Sequence, residues 1–165
     1  MKTPAEFVCV RYAGPLGPML LAASDRGLAG VWFEGQRHGP ENVPWPEAPD
    51  HPVLQQAMRQ LGEYFAGTRT QFALPLDLGL GTAFQQSVWQ ALLAIPPGGT
   101  TSYAELGRRL GRPQAARAVG AAVGRNPVSI VVPCHRVVGS AGALTGYAGG
   151  LERKTALLRL EGALA

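Results

Sequence analysis

Residues 101–123, TSYAELGRRLGRPQAARAVGAAV, decide how the second half of the chain is read. Ser102 followed three residues later by Glu105 has the pattern of a capping box, in which a hydroxyl and a carboxylate satisfy the free N–H groups at a helix start. The helix it opens runs over about 103–110 and closes at Gly111, a residue type that accepts the left-handed turn ending many helices. Pro113 suits the first turn of a following helix, which extends to about Val123. Two short helices joined by a tight Gly111-Arg112 turn read as a helix-turn-helix. On the second helix Val119 and Val123 mark the buried stripe, and Arg117 lies roughly 140° from it, pointing outward. Around Arg117 stand Ala115, Ala116, Ala118, Gly120, Ala121 and Ala122. So smooth a helix suits close approach to a nucleic-acid backbone, with one long cation projecting. It equally suits an interior helix packed through alanines, with one solvated arginine.

Outward from this pair, Thr82 and Gln85 form another capping box, opening a helix that carries Phe84, Val88, Leu92 and Ile95 on one face. Pro96-Pro97 ends it. The β-branched run 128–132 reads as a short strand, residues 134–150 as a glycine-rich excursion, and 151–161 as a last helix stopped by Gly162. The first half reads differently. Strands are expected over 7–13, 19–24 and 28–33, with turns at 14–18 and 25–27. A Pro- and Gly-rich surface loop fills 36–52, and Leu54, Met58, Leu61 and Phe65 recur at helical spacing over 52–66. An extended stretch, 72–80, links the halves. The expected division is therefore 1–80 and 81–165.

At 165 residues the chain holds one ordinary domain or two small ones. With 46% hydrophobic and 16% charged residues it has the material for a core, which excludes a disordered chain. No apolar run approaches the roughly 18 residues of a membrane span. Lys2, Pro4 and Glu6 precede any apolar stretch, so no secretion signal is expected. Cys9 and Cys134 are too few for a disulfide framework, and a reducing, cytoplasmic setting is expected. His38, His51, His135 and the two cysteines show no metal-ligand spacing, so no metal is expected. Charge is unevenly shared. Residues 1–80 carry six basic against eight acidic side chains, whereas 81–165 carry nine basic groups against Glu105, Glu152 and Glu161. A basic half fits a polyanionic partner, and fits a solvated arginine-rich surface as well.

The chemistry concentrates in Ile130-Val131-Val132-Pro133-Cys134-His135-Arg136. Pro133 cannot continue a central strand, so Cys134 falls where the chain must leave the sheet. His135 and Arg136 are donors able to favour a thiolate, the form that acts as nucleophile. A buried, inert thiol is the other reading, and Cys9, alternating with apolar residues in a strand, is given that reading. Tyr103 is either a core ring or a hydroxyl donor in a first turn. Asn126-Pro127 forms a turn pair. Gly146-Tyr147-Ala148-Gly149-Gly150 resembles a pocket wall and lacks the context of a phosphate loop.

Pro133-Cys134-His135-Arg136-Val137-Val138 resembles the acceptor-cysteine motif of the DNA–protein-cysteine alkyltransferases. Thr101-Ser102-Tyr103, Ala115-Ala116-Arg117-Ala118-Val119-Gly120, Asn126-Pro127, the 146–150 loop and Glu161 fall in that family's order and spacing, covering essentially all of 81–165. Gly14-Pro15-Leu16-Gly17-Pro18 and residues 22–28 carry a more generic likeness. The resemblance implies an α/β (α+β) protein. Its N-terminal ribonuclease-H-like domain is a three-stranded sheet with helices, and its C-terminal domain is mostly helical, of winged-helix type, with the helix-turn-helix. It implies repair of O6-alkylguanine in double-stranded DNA, with O4-alkylthymine open as a second substrate, through minor-groove binding and base flipping. Cys134 takes the alkyl group irreversibly, once per molecule, without cofactor. By the same resemblance His135 and Glu161 withdraw the thiol proton through a water, Tyr103 protonates the departing guanine and Asn126 braces the turn. Arg117 fills the vacated place in the base stack, with Ala116, Ala118 and Tyr103 along the DNA. Val137, Tyr147, Ala148 and Gly149 border the flipped base. At Ala148 some relatives carry a serine; here only the backbone N–H remains. A monomer with no required protein partner and no membrane association is expected.

Three rivals leave residues unexplained. A lesion sensor of alkyltransferase-like type lacks the acceptor cysteine, which is present here. A transcription regulator accounts for the helix pair and not for Pro133-Cys134-His135-Arg136. A cysteine hydrolase needs the thiol and imidazole face to face, and adjacent residues seldom are.

Overall fold

The computed structural model describes residues 6–164; Lys2 and Pro4 lie outside them. Three antiparallel strands, β1 (Val8–Gly14), β2 (Gly17–Ser24) and β3 (Gly27–Phe33), form a meander in the order β1-β2-β3. A bulge at Ala22/Ala23 shifts the register, so that Ala22 pairs with Gly30 and Ala23 with Leu28. Both faces are buried. One face, with Val10, Met19, Leu21, Val31 and Phe33, packs in the main core with Leu54, Ala57 and Leu61 of helix α1 (Pro52–Phe65). The other, with Cys9, Leu20, Ala22 and Trp32, is closed by Trp45, whose ring stacks on Trp32 at 5.8 Å. The loop expected over 36–52 thus supplies a core residue.

The free edge of β3 joins the halves. Leu28 bridges Leu76 of the linking stretch, and Val31 bridges Val128. At Gly27, with φ +151°, a Cβ would come within 2.5 Å of the Pro75 carbonyl oxygen, so the linker approaches too closely for any side chain.

Helix α2 (Ala83–Leu92) starts at the expected capping box, with Gln85 N–H donating to Thr82 Oγ1 and Thr82 N–H to Gln85 Oε1. It packs against α4 (Ala116–Gly124), whose Ala122 carbonyl accepts the Trp89 indole N–H at 2.8 Å. Strand β4 (Thr101–Ser102) leads into α3 (Tyr103–Arg109), capped by Ser102. The helix-turn-helix is α3 and α4, but Pro113 lies outside both helices. The Arg112 N–H reaches back to the Gly107 carbonyl, Gly111 takes φ +72°, and the chain turns once more before Ala116. Strand β5 (Val137–Val138) pairs parallel with β4, and α5 (Leu151–Leu160) ends the fold, with Gly162 at φ +82°.

Candidate active site

The run 128–132, expected as a strand, is a buried turn. Val128 joins β3 for one residue: Val31 N–H donates to the Pro127 carbonyl and Ser129 N–H to that of Val31. Ile130 then takes φ +73°, a conformation costly for a β-branched residue, and turns the chain away. Burial on all sides gave the run its strand-like composition; a short apolar run does not reveal its backbone by periodicity. Asn126 holds the turn. Its Oδ1 accepts the Val128 N–H at 2.9 Å and its amide donates to the Val132 carbonyl at 2.8 Å. Pro133 follows, and Cys134 opens a single 3₁₀ turn, Cys134–Arg136.

Behind this turn lies a closed polar cluster. His135 Nε2 is 2.7 Å from Glu161 Oε2. Arg136 donates through Nε to Oε1 at 2.8 Å and through Nη2 to Oε2 at 3.0 Å, while its Nη1 reaches the Ile95 carbonyl at 2.6 Å. Tyr64 donates its hydroxyl to Oε2 at 2.5 Å. Burial by itself would push the Glu161 carboxyl up; the hydrogen bonds from His135 and Arg136 outweigh it and hold the group at about 2. Glu161 is therefore ionised and accepts only, so His135 Nε2 carries the proton. Nδ1 is then a bare acceptor, buried and without a protein partner. Burial lowers the basicity of this imidazole, leaving it neutral. Arg136 is spent on Glu161 and Ile95, so it serves the carboxylate and not the thiol.

Cys134 is 6% exposed, and burial pushes its thiol up to about 11, opposed by the Asn126 amide and the Lys154 ammonium. Lys154 is fully buried. Its Nζ donates to the carbonyls of Val137 and Thr145, each at 2.6 Å, and of Gly146 at 3.3 Å, and desolvation brings it down to about 8.

The sulfur lies at a cleft of about 300 Å³. One wall is the helix-turn-helix itself, with Tyr103 from α3 and Gly120, Ala121 and Val123 from α4; Gly146, Tyr147 and Ala148 form the other. The structure therefore brings Cys134, Tyr103, Tyr147 and Ala148 around one space, with Asn126, His135 and Glu161 buried beneath. Arg117, Ala116 and Ala118 lie on the exposed face of α4. Val137 and Gly149 do not line the cleft: the Val137 carbonyl holds Lys154, and the Gly149 carbonyl accepts from Arg153. Lys154, Tyr64, Arg37, His38 and Arg125 were missed. Lys154 shares the i, i+3, i+7 face of Leu157 and Glu161, a visible signal that a buried ammonium belonged to this face. Nothing in the sequence ties Tyr64 to Glu161. Arg37 and His38, at the cleft rim, come from the loop after β3, whose Arg37 N–H bonds the Ala148 carbonyl. Among the described residues no cluster of three His, Cys, Asp or Glu side chains is placed to hold a metal ion, and no helix is long and apolar enough to cross a membrane.

A thiol at a cleft walled by a helix-turn-helix, with an imidazole–carboxylate pair beneath it, is the build of a cysteine-dependent transferase carried on a DNA-binding domain. Residues 83–163 match the family model described as 6-O-methylguanine DNA methyltransferase, DNA binding domain, and residues 8–78 that of its ribonuclease-like domain. The chain is 50% identical over 153 residues to the methylated-DNA–protein-cysteine methyltransferase of Mycobacterium leprae, covering 93% of this chain and 91% of that protein. It is 47% identical over 152 residues to that of Methanosarcina acetivorans, covering 92% and 96%. Among solved structures, Mycobacterium tuberculosis OGT in complex with DNA superimposes with a TM-score of 0.84 at 46% identity, covering 95% and 92% of the two chains. This chain belongs to the 6-O-methylguanine DNA methyltransferase family.

Proposed function

We propose that this protein repairs O6-alkylguanine in double-stranded DNA by moving the alkyl group to its own Cys134, once per molecule. The observation that carries the reading is the placement of Cys134 at a cleft shared with Tyr103 and α4, followed in the same 3₁₀ turn by a buried His135 whose Nε2–H is committed to Glu161. The family membership and the DNA complex of the M. tuberculosis relative support it. In this division of labour residues 81–165 bind DNA and accept the group, and residues 1–80 buttress them.

The resting thiol, pushed up to about 11, keeps its proton at neutral pH, and the neutral imidazole is free to take it. A water between Sγ and His135 Nδ1 passes the proton as sulfur attacks the alkyl carbon. The S–C bond forms, the C–O6 bond breaks with its electron pair leaving on guanine, and the Tyr103 hydroxyl protonates the base. Atoms balance without a co-reactant. A polarisable sulfur suits displacement at a saturated carbon, and the thioether formed lies outside thiol–disulfide exchange. Asn126 holds the turn that presents the sulfur. Tyr147 and the backbone at Ala148 flank the extruded base, with Val137 and Gly149 bracing that wall from behind. Arg117, with Ala116 and Ala118 against the duplex, takes the place the base leaves; extrusion costs a few kcal/mol, least for a poorly paired lesion. The protein works as a monomer.

Intact mass after incubation with excess duplex containing one O6-methylguanine, followed by peptide mapping, tests this. One added methylene on the Cys134 peptide, and no second turnover, is expected. Tight lesion binding with unchanged mass would make the protein a sensor.

A further inference from the structure

Glu161 is the C-cap of α5, one residue before Gly162 turns left-handed. Its carboxylate is fixed from outside. Arg136 grips both oxygens from the cysteine turn, and His135 and Tyr64 share Oε2. Tyr64 belongs to α1, 97 residues away, in the half of the chain that carries none of the reacting groups. The ring is 2% exposed and wedged between Phe65 and Phe72, with centroids 5.5 and 5.4 Å away. Its hydroxyl is thus delivered to Oε2 by packing that leaves it little freedom.

We infer that Tyr64 is a positioning residue for the proton relay: its hydroxyl holds Glu161 so that Oε2 orients His135, and by sharing that oxygen it limits the basicity of the imidazole. The inference rests on the reading of Cys134 as alkyl acceptor. Glu161 Oε2 is shared by three donors: the Tyr64 phenol, the His135 Nε2–H and the Arg136 Nη2–H. With the phenol gone, the oxygen interacts more strongly with His135 Nε2–H and the imidazolium form is favoured. The charged and titratable groups facing His135 are Glu161 and Lys154 from the last helix region and Arg136 from its own turn; Tyr64, His135 and Arg136 face Glu161. Replacing Tyr64 leaves the others in place.

Tyr64→Phe removes only the hydroxyl. Nitrogen-15 NMR titration of His135 in the free protein is expected to move its midpoint upward by about half a pH unit or more. The acid limb of the single-turnover transfer profile moves the same way, because His135 must be neutral to accept the proton. Transfer near that limb slows roughly three- to tenfold. Phe72→Leu loosens the packing of the ring and keeps the hydroxyl, so it should lower Tm while moving the His135 midpoint much less than Tyr64→Phe does. An unmoved midpoint in Tyr64→Phe, or an equal movement in Phe72→Leu, overturns the inference. A wild-type protein that leaves Cys134 unalkylated overturns the acceptor reading instead, and the NMR titration still judges Tyr64.

Discussion

Cys9 and Cys134 are buried to nearly the same degree, 4% and 6% exposed, and burial pushes both thiols up. Everything else about them differs. Cys9 stands in β1 against Trp45, Trp32 and Phe7, with the Trp45 carbonyl 3.6 Å from its sulfur. Cys134 stands on a tight turn at a cleft, with Asn126 and Lys154 influencing the sulfur and His135, Glu161 and Arg136 beneath. Burial therefore separates neither sulfur from reactivity. What separates them is a neutral base with an unused lone pair and an opening to the surface, and only Cys134 has both.

The largest effect that can break this contrast is Cys134→Ser. The hydroxyl has neither the polarisability nor the acidity of the thiol, so transfer should vanish while lesion binding, measured by fluorescence anisotropy, survives. Alkyl transfer persisting in that variant would move the acceptor to Cys9. Glu161→Gln comes next. It leaves the His135 tautomer unfixed and Arg136 buried without its anion, so single-turnover transfer should fall about 10²-fold or more. Circular dichroism of the same sample separates loss of chemistry from loss of fold.

The same carboxylate makes the Cys134 region sensitive to acid. Glu161 titrates near 2 in the folded protein against an ordinary 4.5. Between these values the unfolded chain binds more protons than the native one, so stability rises with pH across the window and is lost as pH falls through it. The group contributes on the order of 3 kcal/mol above pH 4.5. Urea unfolding at a series of pH values should show this slope in the wild type and a flatter one in Glu161→Gln. The Cys134 thiol, titrating near 11, should react only slowly with iodoacetamide at neutral pH and faster as the pH is raised.

Most of the contrast was legible in the sequence, for reasons that also explain what was not. The meander, α1, the capped α2 and α3 and the last helix followed from alternation, helical spacing and caps, all local properties. Around Cys134, the residues His135, Asn126, Tyr103 and Glu161 were named from the resemblance, whereas Lys154, which acts on the same sulfur, was not. The run 128–132 was misread because a turn buried on every side has the composition of a strand, and Ile130 gives no sign of its positive φ. Pro113 was misplaced because it can open a helix or precede one. Tyr64 and the rim residues Arg37 and His38 were invisible, since they reach the site across the interface between halves and no spacing records such a contact. Trp45 was hidden in a loop whose Pro and Gly content spoke for the surface.

On the outer face of α4 the contrast is sharpened by a smaller effect. Arg117 is exposed, as are its short neighbours Ala116 and Ala118. If it fills the place the base leaves, it acts only where a stack exists. Arg117→Ala should slow transfer from duplex substrate by roughly tenfold and from single-stranded substrate much less. Equal losses in both would remove the extrusion role and leave Arg117 a general phosphate contact.

The smallest expected effect belongs to Cys9. Cys9→Ala removes one sulfur from the cluster under Trp45 and leaves a void of about one heavy atom, for which a loss of roughly 1 kcal/mol is expected. The sheet it weakens is the one that carries β3, and β3 holds both the linker at Leu28 and the start of the cysteine turn at Val31. A weakened but intact sheet still presents that edge, because the bonds at Val31 are made by backbone groups that Cys9 does not touch. The urea midpoint should therefore drop while the single-turnover rate stays at the wild-type value. A rate that fell together with the midpoint would mean that the two cysteine regions are mechanically coupled through β3, and that the N-terminal sheet sets the geometry of the acceptor turn.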